Sequence, residues 1–468
     1  MAEFFDDFYN KEIKPIIRRY ESMVKENRFE FFDVDEFEGI IDYYFDHSQL
    51  NLAHAAIEAG QRQHPASNEI LLKKSQYFTF RQNYKMALRI LEQIEVVEPT
   101  NSDLYLAKGS VYSQMKQPEK AIREFTKATL YSDDLEDIYT SIAFEYENNG
   151  EYERAIEYLR KALDINPANE SIIYEISFCF EFGLSSKESV KFFKKFIDRQ
   201  PYSRAAWFNL GVAYNNLELY EKAIEAYDFA IAIDTGFASA YFNKANTLAN
   251  LKEYGKAIGV YRETFEYEDP DAMTYYYIGE CYEKLEDYKN AILYYKKATE
   301  LDESLADAWM GLGVAYEEQN NSITALKCMH KAIKLDPTNA EFWYMHAEIQ
   351  FKLEMHEEAL RSFRKVTELD PYNVDIWLDF SNAYHELGRT NAAIQVLEEG
   401  LDYQNDNAEL VYRLVVYQIN QKKMKTAYRT LEKALALDSD KYIQVFEYQE
   451  DLKENKTLLE IIAAHTAK

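Results

Sequence analysis

The chain is short of the residues that interrupt helices. Its 468 residues include only 14 glycines and 9 prolines, and both types are costly inside a helix. Cysteine is scarcer still. Cys179, Cys281 and Cys328 are odd in number and far apart, which excludes a disulfide frame, and no pair has metal-ligand spacing. They read as small buried hydrophobes in a reducing compartment. No apolar run is long enough to span a membrane. Residues Met1 to Asn10 are acidic and aromatic, without the basic start and apolar run of a signal peptide, so a cytoplasmic protein is expected.

Catalytic motifs are missing as well. The sequence contains no HExxH, GxSxG, P-loop, GxGxxG or CxxC, and its eight histidines are scattered. Close pairs of carboxylates are expected by chance in a chain with 81 acids. His346, which replaces the usual apolar residue of its register, reads as a core histidine. The expectation is a protein that is not an enzyme and needs no cofactor or metal. Basic residues are outnumbered, 53 Lys and Arg against 81 Asp and Glu, for a net charge of −28. Nucleic acid and anionic lipid are repelled by such a chain and basic partners attracted, although the same charge also serves to keep a long chain in solution.

What the chain does have is a period. From Val34 to Lys441 one 34-residue unit is written twelve times without insertion or loss. Ala53, Ala87, Ala121, Ala155, Ala223, Ala257, Ala291, Ala325, Ala359, Ala393 and Ala427 fall in one register, and only Ser189 replaces the alanine. Self-similarity at this period implies an all-α solenoid of stacked helical hairpins. The domain reading is therefore 1–33 as N-terminal capping helices, 34–441 as twelve tandem repeats, and 442–468 as a degenerate capping repeat.

Repeat four, residues 136–169, shows the logic. Tyr139, Ile142, Ala143 and Tyr146 form one helical stripe, and Tyr152, Ala155, Ile156, Leu159 and Ala162 form a second. Gly150 between them suits a left-handed cap. Asn166-Pro167 ends the second helix. Six of the prolines, Pro65, Pro99, Pro167, Pro201, Pro337 and Pro371, share repeat position 32. Small residues at positions 8 and 20 allow the two helices to approach closely, and large ones at positions 4, 11 and 24 fill the gaps. Neither end follows the unit exactly. Pro15 is expected to start a new helix, and Phe4, Phe5 and Phe8 are either part of a cover or a docking motif. Repeat five is aromatic and irregular, with Phe178, Phe180, Phe182, Phe192, Phe193 and Phe196. Two readings stand for it: local repacking of a wider helix pair, or a change of curvature or a convex apolar patch that takes a second partner.

Trp207, Leu210, Gly211, Tyr214, Ala223, Tyr227 and Ala230 in repeat six resemble the tetratricopeptide repeat pattern, as do Trp309, Leu312, Gly313, Tyr316, Ala325, Ala332 and Pro337 in repeat nine. The resemblance spans residues 34–441. It implies a right-handed superhelix of about twelve units whose helix A positions 2, 5, 6, 9, 12 and 13 line a concave groove. Carried over residue by residue, position 5 becomes an aromatic ladder of Tyr174, Phe208, Phe242, Tyr276 and Tyr344, with Met310 between the last two. Beside it stand Asn209, Asn243, Asn246, Asn215, Asn216 and Asn250. An asparagine row can hydrogen-bond a peptide backbone whatever its side chains, and aromatics add apolar contact. The alternative is that the asparagines are polar filler and the rings pack between helices.

The flanking groove positions are acidic, including Asp35, Glu38, Asp42 and Asp46 early and Glu280, Glu283, Asp307, Glu341, Glu348, Asp375 and Asp379 late. Over all twelve repeats they hold 21 acids and four bases (Lys73, Lys284, Lys352, Arg413), so 21 − 4 = 17 net negative charges. The expected partner is a protein or peptide segment with an apolar centre and basic flanks. The lysines with which some members of the family clamp a chaperone's C-terminal carboxylate are absent from positions 2 and 5, so that ligand is not expected. An adaptor scaffold is the leading functional reading. A receptor whose pitch changes on binding and a self-assembling structural component are the alternatives.

Overall fold

A computed structural model describes residues 2–183 and 185–466, with side chains from Ile13 onward. Every regular element among the described residues is helical. None of these helices is long and apolar enough to cross a membrane. The chain divides into two compact units, Met1–Thr235 and Gly236–Lys468.

The 34-residue period is reproduced by the helix boundaries. Helix A begins at position 1 in each repeat: Val34–Asp46, Asn68–Phe80, Ser102–Gln114 and Glu136–Asn148 in the first unit, for example, and Ala272–Lys284, Ala306–Glu318 and Ala340–Lys352 in the second. Helix B begins at position 17, as in Leu50–Gln63, Tyr152–Ile165, Tyr288–Leu301 and His356–Leu369. The residue before helix A is often a cap: Ser67, Asn101, Ser203, Asn339, Asn373 and Asn407 each accept a backbone N–H from the helix's first turn.

The turn from helix A to helix B is left-handed at position 15. Gly150 and Gly388 sit there with φ of 73°. The same position is held at φ between 55° and 61° by Ser48, Gln82, Lys116, Glu218, Lys252, Glu286, Asn320, Glu354 and Lys422. A side chain in this region carries a steric cost that glycine avoids, so the turn is imposed by the hairpin packing on either side.

That packing explains positions 8, 20 and 24. The alanines of the register are buried, and Ser189 in repeat five is buried with them. Position 8 is small because a ring lies on it. A Cβ at Gly211 would stand 2.5 Å from the Tyr227 ring, and one at Gly109 would stand 2.4 Å from Phe125. Tyr295 is enclosed from two sides: a Cβ at Gly279 would be 2.7 Å from its ring and one at Gly311, in the next repeat, 2.5 Å. The tryptophans of position 4 share one bond. Indole N–H groups of Trp207, Trp309, Trp343 and Trp377 donate to the carbonyls of Pro201, Glu303, Pro337 and Pro371, six residues earlier.

At the N-terminus a helix runs from Ala2 to Lys25 with Pro15 inside it. This corrects the expected new start at Pro15. Ile13, Ile17, Tyr20 and Met23 are buried against Phe32, Phe37, Ile40 and Tyr44, and that packing carries the helix past the missing N–H. The Phe4, Phe5 and Phe8 side chains lie outside the described residues. At the other end, Ile443–Tyr448 and Lys456–Thr466 are helical, and Val445, Leu452, Leu458 and Ile462 join the core of the last repeats.

Candidate functional site

Helix A positions in the first unit place Tyr174, Phe208, Asn209 and Asn216 on neighbouring helices. Tyr174 and Phe208 meet edge to face with ring centroids 6.2 Å apart. Phe208 also lies against Tyr227 of its own hairpin at 5.9 Å. Asn209 is 3% exposed, and its amide N–H donates to the Ala205 carbonyl at 2.8 Å. Asn216 is exposed.

The same wall carries aromatics that the position-5 ladder leaves out. Phe144 is 55% exposed, Phe178 43% and Phe182 61%, and the Phe178 and Phe182 rings are 4.6 Å apart. All three occupy positions 9 or 13, so their register already assigns them to the helix A face. Phe80, at position 13 of repeat two, is exposed too. Cavities of about 380 and 490 Å3 open along this face. Leu106 and Ser110 line both of them, and Phe144 and Glu145 border the larger. Glu145 is buried, which raises its carboxyl above the usual range against a hydrogen bond from Ser113. Among the first repeat's acids, Asp42 accepts both 2.7 and 2.8 Å hydrogen bonds from the Lys73 ammonium.

The second unit holds Phe242, Asn243, Asn246, Asn250, Tyr276, Glu280 and Tyr344. Phe242 packs on Tyr261 at 5.7 Å and on Tyr277 at 5.6 Å. Tyr276 packs on Tyr295 at 5.8 Å, and Tyr344 on Phe363 at 6.1 Å. The ladder rings are thus half-buried members of the hairpin packing with one edge on the surface. Asn243 donates to the Ser239 carbonyl at 2.9 Å. Asn246 accepts from the Tyr261 hydroxyl. Asn250 is exposed.

Electrostatics distinguishes this unit. Burial raises the carboxyl of Glu280, with Glu283 and Asp307 adding to it against Lys284. Glu283 is raised by burial, partly offset by the Tyr295 hydroxyl, which donates to it at 2.8 Å. Glu348, although exposed, is raised by partial desolvation and then by Asp379 and Glu386. Asp379 is raised by burial, although it accepts a 2.9 Å bond from the Tyr344 hydroxyl. A cavity of about 420 Å3 is bordered by Glu341, Tyr344, Asp375 and Asp379. Of the local bases, Lys352 is committed to Glu317. The Arg413 guanidinium lies 3.5 Å from the Tyr448 ring centroid and donates to the Tyr417 hydroxyl at 3.2 Å. Desolvated carboxylates of one sign disfavour their own ionised forms, and an arriving cation relieves that cost.

No group of His, Cys, Asp and Glu side chains among the described residues could hold a metal ion. His346 is buried as read, with Nδ1 3.0 Å from the Ser362 hydroxyl and its ring 4.7 Å from that of His330.

Models of the tetratricopeptide repeat match residues 102–134, 136–169, 205–236, 242–306, 350–415 and 386–445. A model described as anaphase-promoting complex, cyclosome, subunit 3 matches residues 286–366. No curated protein matches the chain. Similar solved structures include YrrB, described as a TPR protein with an unusual peptide-binding site, at 22% identity over 42% of this chain and 97% of that one, with a TM-score of 0.35. MamA is 20% identical over 34% of this chain and 94% of its own, at a TM-score of 0.33. The C-terminal part of a TPR repeat-containing protein from Cytophaga hutchinsonii is 19% identical over 54% of this chain and 98% of its own, at 0.44. With the 34-residue helix register and models matched over more than half of its residues, the chain belongs to the tetratricopeptide repeat family, whose stacked hairpins serve as scaffolds for protein–protein interaction.

Proposed function

We propose that this scaffold binds a protein segment with an apolar centre and basic flanks along the helix A face of its second unit. The observation that carries the reading is the set of half-buried carboxylates, Glu280, Glu283 and Asp379, held above their usual range by burial and, among the described residues, without an ion pair within 4 Å. A lysine or arginine placed among them regains the ionisation energy that the fold gives up. The half-buried rings of Phe242, Tyr276 and Tyr344 in the same unit offer apolar contact. Asn250 is the asparagine of this unit's row most exposed to a ligand's backbone, since Asn243 and Asn246 use an amide group within the fold.

The test is calorimetric titration with a peptide carrying lysines on both sides of an apolar centre, against its glutamate-flanked counterpart. The lysine peptide should bind and should weaken as salt shortens the Debye length to about 8 Å and below. Glu280→Gln/Glu283→Gln should weaken it further. Equal binding of both peptides, or an affinity unmoved by salt, refutes the proposal.

A further inference from the structure

The outer face of repeats four and five carries a slot of opposite electrical character. It lies between helix B of repeat four, Tyr152–Ile165, and helix B of repeat five, Ser186–Arg199. The cavity measures about 500 Å3. Its floor is apolar: Leu163, Phe180, Phe192 and Phe196. Repeat five supplies the reason for the slot. Position 27, mostly alanine or another small residue in the other repeats, is Phe196 here, and its ring is buried. The Phe192 and Phe196 rings lie 6.2 Å apart at an interplanar angle of 18°. Two stacked rings where one small side chain is usual leave a trough beside them.

Its border is basic. Lys191, Lys195 and Arg199 follow one another at four-residue spacing, a row of about 12 Å along the helix. Arg160 faces them from repeat four, its guanidinium 4.9 Å from the Phe192 ring centroid. Of these four cations, only Arg199 has a carboxylate within ion-pair distance among the described residues, Asp164 at 3.3 Å. The remaining acids, Glu153 and Glu188, stand in the first turns of their helices, at the start of the slot rather than along the basic row. In a chain of net charge −28, three unpaired cations over an aromatic floor give an acidic ligand a local attraction against the overall charge.

We infer that this slot is a second docking site, for an acidic peptide segment that inserts one aromatic side chain between the two helices. The row length favours a segment over a compact anion, since about four extended residues cover 12 Å. The buried rings provide the anchor pocket, and the cations pair with acids on either side of the anchor. The scaffold then offers two surfaces of opposite sign and can hold a basic and an acidic partner at the same time.

The test is fluorescence anisotropy with a dye-labelled peptide of sequence Gly-Asp-Asp-Ala-Phe-Glu-Asp-Asp-Gly, titrated with the full chain. Controls are the same peptide with alanine for phenylalanine, and one with lysine for every acid. The acidic aromatic peptide should bind at least about tenfold more tightly than either control. Lys191→Glu/Lys195→Glu should cost at least about tenfold. Both lysines are exposed, and an unchanged far-ultraviolet circular dichroism melt verifies that the variant folds. Glu280→Gln/Glu283→Gln should leave this binding unchanged, which separates the slot from the helix A face. No binding by the wild type, binding indifferent to the phenylalanine, or loss of binding only in the Glu280/Glu283 variant overturns the inference.

Discussion

His346 supplies a sharp test of how the packing sets stability. It occupies a helix A position that holds Ile278, Leu312 and Phe380 in the flanking repeats. It is buried, shares Nδ1 with the Ser362 hydroxyl, and leaves Nε2 without a partner. Burial, followed by the nearby His330, pushes its pKa down from 6.5 to about 4. The folded state therefore resists a proton that the unfolded chain accepts below about pH 6.5. Stability is intact at neutral pH and falls as pH drops through the window from 6.5 to about 4. At pH 5 the loss works out at about 2 kcal/mol, and below pH 4 it approaches about 3 kcal/mol. His346→Leu restores the usual apolar residue and removes this term. Ser362 keeps a partner in the variant, because its hydroxyl donates to the Gln350 side-chain oxygen at 2.8 Å. Hydrogen exchange on repeats nine to eleven, at neutral pH and at pH 5, reads the local opening energy without assuming that a solenoid unfolds in one step. The raised carboxylates of the same unit move the other way, gaining stability as pH falls, but they are common to both proteins and cancel in the comparison. The wild type should lose about 2 kcal/mol more than the variant on acidification. Equal losses in the two would refute the account.

Three further outcomes follow from the packing. Gly279→Ala should destabilise by about 1–3 kcal/mol in urea unfolding, because the new Cβ would stand 2.7 Å from the enclosed Tyr295 ring. Glu286→Gly, at a left-handed turn with φ of 60°, should stabilise by about 0.5–1 kcal/mol, the steric relief outweighing glycine's greater chain entropy. Trp343→Phe should lose about 1 kcal/mol as the indole bond to the Pro337 carbonyl disappears, seen as a lower thermal midpoint.

Much of the fold was legible in the residues. The alanine register, the proline at position 32 and the apolar stripes placed the helices, because each is a local consequence of spacing. Gly150 disclosed the left-handed turn. The other turns did not announce themselves, since Glu218 or Lys252 is held at positive φ by packing on both sides rather than by its own preference. Pro15 misled for the same reason. The candidate site was legible in outline only. Position in the repeat identified the helix A face, but not which polar groups remained for a ligand. Asn209 and Asn243 bond back to the carbonyl four residues earlier, a local choice open to any helical asparagine, and Asn246 is taken by a tyrosine fifteen residues away. Exposure of Phe144 and Phe182 depends on how neighbouring hairpins stand, which spacing alone does not disclose.

Tyr295 shows why units of equal length are not interchangeable parts. Its ring needs a glycine at position 8 of its own repeat and another at position 6 of the next, Gly279 and Gly311. Elsewhere position 6 is glycine only at Gly39, and most repeats carry a larger residue there, such as Lys73, Glu175, Asn209, Asn243, Met345, Asp379 or Arg413. Repeat eight can therefore be followed comfortably by repeat nine and by few of its siblings. A shuffled or shortened array would keep the period and still jam at this joint. The order of the repeats is written into their contacts, like teeth cut for one key.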